Sequence, residues 1–164
     1  MYKNIVIDGA NNVGKSTLAA KLLQRLKGWK AEHMSVESPR NIEFYNASLD
    51  NCERIIFDRH CISEAIYPEL TGRASEVSVE QIVTIVNEHP DTLFIILRAD
   101  LTFISKAYKN KLEEINWDYI TRERQLFDNI SNKLHKNKNV LLFDIPHENV
   151  DALDYAANDI VYKI

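Results

Sequence analysis

The chain has 164 residues, of which 45% are hydrophobic and 27% charged, and a net charge of −4. That is enough for one domain with a full core and no disulfide staples, so 1–164 is read as a single domain. The acidic balance argues against a broad basic surface for nucleic acid, no apolar run approaches a membrane span, and two cysteines without ligand spacing read as reduced thiols of a cytoplasmic protein.

KNIVID (3–8) is predicted as a buried strand, and GKSTLAAKLLQRLKG (14–28) as a helix on the spacing of Leu18, Leu22, Leu23 and Leu26. A weaker strand follows at 30–36, then the turn ESPRN and a short helix IEFYNASLDN. RIIFD (54–58) is the third strand. RHCISEAIYPEL opens a helix that Pro68 is expected to bend or end. The stretch 77–89 is helical, with Ser78 as N-cap and Glu80 nearby, and 91–97 is the clearest buried strand. Two helices follow, in DLTFISKAYKNKLEE and WDYITRERQLFDNISNKLHKN, then a strand at 139–145 and a last helix in ENVDALDYAANDIVYKI. This alternation predicts an α/β three-layer sandwich: a five-stranded parallel sheet with helices on both faces. Ligands of such sheets bind at the carboxyl ends of the strands, where Asp8, Asp58 and Asp144 should stand.

Gly9-Ala-Asn-Asn-Val-Gly14-Lys15-Ser16 matches G-x-x-x-x-G-K-[ST], between a predicted strand and a predicted helix. Glycines let the backbone wrap phosphates with its N–H groups, and the helix N-terminus adds a positive dipole end. ATP is therefore expected on Gly9, Asn11, Asn12, Val13, Gly14, Lys15, Ser16 and Thr17, with Lys15 on the β- and γ-phosphates and Ser16 on Mg²⁺. Asp58 and Arg59 leave the third strand beside this loop. The carboxylate can hold Mg²⁺ through water, and the guanidinium can bridge donor and acceptor phosphates and take up the charge that develops between them. A strand-end ion pair without chemistry is the other reading of these two residues.

IDGANNVGKST followed by IIFDRHCISEAIY resembles the thymidylate kinase and deoxynucleoside kinase group of P-loop kinases. Asp58, Arg59, His60, Ser63 and Tyr67 fall on the D-R-[YH]-x-x-S-x-x-A-Y-Q pattern of thymidylate kinases, with Ile66 in the Ala place. The resemblance implies a P-loop NTPase-type fold with a short lid, and ATP- and Mg²⁺-dependent transfer to a deoxynucleoside monophosphate or a deoxynucleoside. It implies two rival roles in the turn ESPRN: Arg40 beside Pro39 as the ligand of an acceptor monophosphate, or Glu37 as the base on a 5′-hydroxyl. A hydroxyl needs a base to take its proton, whereas a monophosphate needs cations. The lid is placed at about 104–118, with Lys106, Lys109 and Lys111 where relatives carry arginines, and Arg122, Arg124 and Arg98 as weaker candidates.

Phe44 and Tyr45 are candidates for stacking a base, with core packing as the other reading; Tyr67 is a candidate for the same pocket, and His60 for orienting Arg59 or touching the acceptor, with a structural role as its other reading. His33, His89, His135 and His147 form no ligand cluster, and Cys61 reads as a small buried residue. The sequence departs from thymidylate kinases in three places: a short segment between Pro39 and Asp58, Pro68 in place of the pattern's Gln, and Asn11–Asn12 where an acid and a Gly are common. The short middle segment resembles the compact kinases of phages. A small-molecule acceptor is the leading expectation for a partner, and a homodimer is expected on the resemblance alone. The alternatives are a kinase acting on a modified nucleotide within DNA, of the 5-hydroxymethyluridine type, and a catalytically weak nucleotide-binding regulator.

Overall fold

A computed structural model describes residues 2–35, 41–111, 113–146 and 151–164. Five strands form one parallel sheet in the order β2-β3-β1-β4-β5, where β1 is Asn4–Gly9, β2 Lys30–His33, β3 Ile55–Asp58, β4 Thr92–Ala99 and β5 Val140–Ile145. The central strands carry the continuous apolar stretches Ile5–Ile7 and Leu93–Leu97 because helices cover both faces: every residue of β1 is buried, and so is all of β4 except Arg98. The edge strand β2 is exposed along its length, and most of β5 is half-buried.

Helices α1 (Lys15–Arg25) and α7 (Ala152–Lys163) pack together on one face. Lys21 and Arg25 both donate to Asp154, at 2.5 and 2.7 Å. On the other face lie α3 (Cys61–Thr71), α4 (Val79–Glu88) and α6 (Trp117–Leu134), with α2 (Ile42–Asp50) against α4 and α5 (Leu101–Asn110) against α6. The elements follow the predicted order throughout. Side-chain caps start four helices: Asn41 accepts from Phe44, Asp100 from Phe103 and Asn116 from Tyr119, and Ser78 forms a capping box with Gln81.

Pro68 does not end α3, which runs on to Thr71. A proline in mid-helix leaves the carbonyl four residues back without its usual donor. Here that carbonyl, on Glu64, accepts from the Ser75 hydroxyl at 3.2 Å.

Parallel pairing puts the ends of β1 and β3 side by side, with Ile7 opposite Asp58. Asp8 and Asp58 thus share the carboxyl edge next to the loop between β1 and α1. Asp144 stands at the same edge two strands away, where it accepts both Nε (2.8 Å) and Nη2 (2.6 Å) of Arg98.

Candidate active site

The loop between β1 and α1 is built on left-handed backbone. Gly9 has φ +148°, and a Cβ there would lie 2.4 Å from the carbonyl oxygen of Leu97, so β1 can press against β4 only without a side chain at this point. Gly14 has φ +93°, and Asn12 takes the left-handed region at φ 61°. Lys15 then enters α1 buried, its Nζ donating to Ala10 O at 2.6 Å. Burial, with the neighbouring Arg59 charge, brings its ammonium down to about 7.

Ser16 Oγ donates to Asp58 Oδ2 at 2.5 Å, and His33 Nδ1 lies 3.1 Å from the same oxygen. The second carboxylate oxygen, Asp58 Oδ1, is buried without a hydrogen-bond partner among the described residues. Asp8, fully buried, accepts from Ser63 Oγ at 2.5 Å, and its Oδ2 is likewise unpartnered. Burial pushes the Asp8 carboxyl above its usual range, against the opposing pull of Ser63, Arg59 and Lys15. A hydroxyl and one or two carboxylates with spare oxygens suit Mg²⁺, which takes few protein ligands and shares the rest with phosphates and water. Among the described residues no cluster of three or more His, Cys, Asp or Glu forms a dedicated cage.

Arg59 follows β3 in the left-handed region, φ 74°, and its backbone N–H donates to Ile7 O at 2.9 Å. That turn throws the side chain back over the loop. Nη2 donates to Asn11 Oδ1 at 2.5 Å, and the guanidinium lies 4.8 Å from the centre of the Tyr67 ring. Nη1 is buried without a hydrogen-bond partner among the described residues. Loop, Asp58, Arg59 and His33 wall a cleft of about 440 Å³; Phe103, Ala107 and Lys111 close it from the α5 side, and Leu153 of α7 borders it at Gly14.

The remaining sequence candidates divide. Lys106 and Lys109 are exposed on α5 and are not among the residues lining the cleft. Lys111, just past that helix, reaches Asn12 Oδ1 at 2.5 Å. Arg122 pairs with Glu69, and Arg124 lies near Asp128 at 3.6 Å and lines, with Arg98 and Asp144, a second pocket of about 610 Å³ at the ends of β4 and β5. Tyr67 is buried, and its hydroxyl donates to Glu123 Oε1 at 2.7 Å. Tyr45 and His60 are also buried, ring against ring at 4.7 Å, and His60 Nε2 meets Ser48 Oγ at 2.8 Å, so the pair joins α2 to α3. Phe44 remains exposed on α2, 5.5 Å from Tyr45. Cys61 is buried at the start of α3. Glu37 and Arg40 lie outside the described residues.

Two residues of the site were missed. His33 comes from the exposed edge strand, and nothing in its sequence surroundings marks it. Glu123 did carry a signal: it falls on the buried stripe of α6 with Ile120, Phe127, Ile130 and Leu134, a carboxylate where the helical period calls for an apolar residue.

No protein-family model matches the sequence, and no match is found among curated proteins. Solved structures do match in fold. The YorR protein of Bacillus subtilis, solved in complex with phosphorylated GDP, is 22% identical with a TM-score of 0.82, over 98% of this chain and 94% of that one. Deoxyadenosine kinase from M. mycoides, with bound dCTP, is 17% identical with a TM-score of 0.65, over 98% of this chain and all of that one. Thymidylate kinase from Candida albicans is 17% identical with a TM-score of 0.62, over 99% and 92%. At these identities the likeness is one of fold, and the fold is that of P-loop kinases. No helix among the described residues is long and apolar enough to cross a membrane.

Proposed function

We propose that this chain is an ATP-dependent phosphotransferase that moves the γ-phosphate of ATP to a deoxynucleoside monophosphate or a deoxynucleoside. The observation that carries this reading is the convergence of Lys15, Ser16, Asp58 and Arg59 on one cleft at the carboxyl edge of the sheet. A regulator that only binds nucleotide needs the loop, but it has no use for a guanidinium held over it by a strained backbone.

Phosphoryl transfer asks the protein mainly for position and charge. The loop N–H groups and the α1 N-terminus cradle the β- and γ-phosphates. Lys15 exchanges Ala10 O for phosphate oxygens, and the added anion restores its proton. Ser16 and Asp58 would hold Mg²⁺, which would offset the negative charge of the nucleotide phosphates. Arg59 keeps Nη2 on Asn11 Oδ1 and offers Nη1 to the transferring group. Lys111 and the α5 side of the cleft exclude water.

The test is ADP release from Mg-ATP against deoxynucleosides, their 5′-monophosphates, and a short DNA containing thymidine and 5-hydroxymethyluridine. Stimulation by a nucleoside or monophosphate is the expected result. Glu37→Gln should then lower kcat strongly on a nucleoside and little on a monophosphate, and Arg40→Ala should raise KM for a monophosphate. Turnover with DNA alone would replace the small acceptor by a polynucleotide, and its rate should fall steeply with salt. Tight ATP binding that no acceptor converts into ADP release would favour the regulator.

A further inference from the structure

Glu123 is fully buried, and a carboxylate inside a core is costly unless donors meet it. Two donors arrive from two other parts of the fold. Its Oε1 accepts the backbone N–H of Asn11 at 2.9 Å and the Tyr67 hydroxyl at 2.7 Å. Both donors lead on to Arg59: the Tyr67 ring lies under the guanidinium at 4.8 Å, and the Asn11 side chain accepts from Nη2 at 2.5 Å. Glu123, Tyr67, Arg59 and Asn11 thus close a ring of contacts that joins α6, α3, the end of β3 and the phosphate loop.

We propose that Glu123 is a positioning residue for Arg59: by clamping Tyr67 and the Asn11 backbone to α6, it fixes the plane and reach of the guanidinium over the phosphate loop. The proposal rests on the reading of Arg59 as the group that meets the transferring phosphoryl. Indirect holding is chemically apt. A carboxylate forked directly onto Arg59 would compete with phosphate for the same donors. A phenol ring and an amide oxygen orient the guanidinium and leave its charge available. Arginine has many rotamers, and a small error in its placement is expensive to transfer in line. Burial raises the Glu123 carboxyl above its usual range, and the Tyr67 hydroxyl, the Asn11 N–H and the nearby Lys15 and Arg59 charges pull the other way.

Removing Glu123 alone would strand the Tyr67 hydroxyl, so the main test is the pair Glu123→Leu with Tyr67→Phe, which removes both partners of that bond. Tyr67→Phe alone, which keeps the ring and cuts its tie to Glu123, serves in its place if the pair does not fold. On the acceptor that stimulates ADP release, the pair should lower kcat by about 10- to 100-fold while KM for ATP stays within about threefold. Glu123→Gln keeps an accepting oxygen and should recover most of the turnover. In an Arg59→Ala chain the same pair should cost less than about twofold more. ¹⁵N NMR of the Arg59 guanidinium supplies a readout independent of activity: its Nε–H signal should shift and show faster motion in the pair variant. An Arg59 signal unchanged by the pair overturns the proposal, whether or not any acceptor is turned over. An equal kcat loss in the Arg59→Ala chain overturns it too. A released Arg59 signal in a chain with no turnover on any acceptor supports the positioning role and counts instead against the kinase reading.

Discussion

The floor of the cleft and its lid side are built by opposite means. On the floor, Lys15, Asp58 and Asp8 are buried and held by short hydrogen bonds to backbone or hydroxyl, the two carboxylates on the inner strands β3 and β1 and the lysine at the start of α1. On the lid side, Lys106, Lys109 and Lys111 are exposed, and only Lys111 of the three has a hydrogen bond to the loop. The first arrangement spends folding free energy to hold charges in low dielectric, where each is worth more to a developing phosphoryl charge. The second leaves flexible point charges in water, worth little singly. If this contrast is functional, substitutions on the two sides should differ by orders of magnitude.

The largest effects belong to the floor. Lys15→Ala and Arg59→Ala should each lower turnover by about 10³-fold, with thermal melting close to that of the unsubstituted chain. A kcat within about threefold of the original in either variant would break the comparison at its strong end.

An intermediate effect follows from the proton on Lys15. Its ammonium is brought down to about 7, so the ligand-free protein loses that proton as pH rises through neutrality. ATP binds best to the charged form and so must restore the proton at higher pH. The Kd for ATP should therefore rise between pH 7 and 9, by up to about tenfold per pH unit. The profile should flatten in Lys15→Ala, which binds weakly at every pH. A flat profile in the unsubstituted chain would show that the buried lysine keeps its proton.

The smallest effects lie on the lid. Lys111→Ala should raise KM for ATP about threefold by releasing Asn12, whereas Lys106→Ala and Lys109→Ala should each change it by less than about twofold. Equal losses in all three would mean that the lid lysines act as one basic surface, and the contact to Asn12 would then be incidental.

The same contrast governs how much the sequence reveals. The floor was legible because its chemistry is local: loop glycines, lysine and serine stand in one motif between a strand and a helix. Asp58 and Arg59 were legible because a parallel sheet brings the ends of its central strands together, so that a strand ending in an acid marks the site by topology alone. The lid lysines were found as a group but not ranked. Which of three exposed cations touches the loop depends on where α5 ends, and Lys111 is one residue beyond that end. Arg122 and Arg124 were singled out, yet the residue between them is the one that turns inward. Tyr67 was a candidate for the base pocket, and what the sequence did not reveal is that its hydroxyl donates to Glu123 and its ring lies 4.8 Å from the Arg59 guanidinium. Pro68 was weighed as a break, but one serine hydroxyl from the following turn takes up the carbonyl it strands. The Lys111, Glu123 and Tyr67 contacts depend on partners distant in sequence, and no local pattern encodes them.

The wall that α7 gives the cleft has a consequence for the order in which the protein is made. The phosphate loop leaves the ribosome before β3, β4 and α7, yet the strand before it pairs with β3 on one side and β4 on the other, and Gly14 meets Leu153 from the last described helix. A nascent chain therefore carries its ATP motif long before it can shape it. Binding competence should arrive late, in one step, as α7 settles onto α1. On the proposed reading, ATP gives partly folded intermediates no added stability and stabilises finished molecules alone.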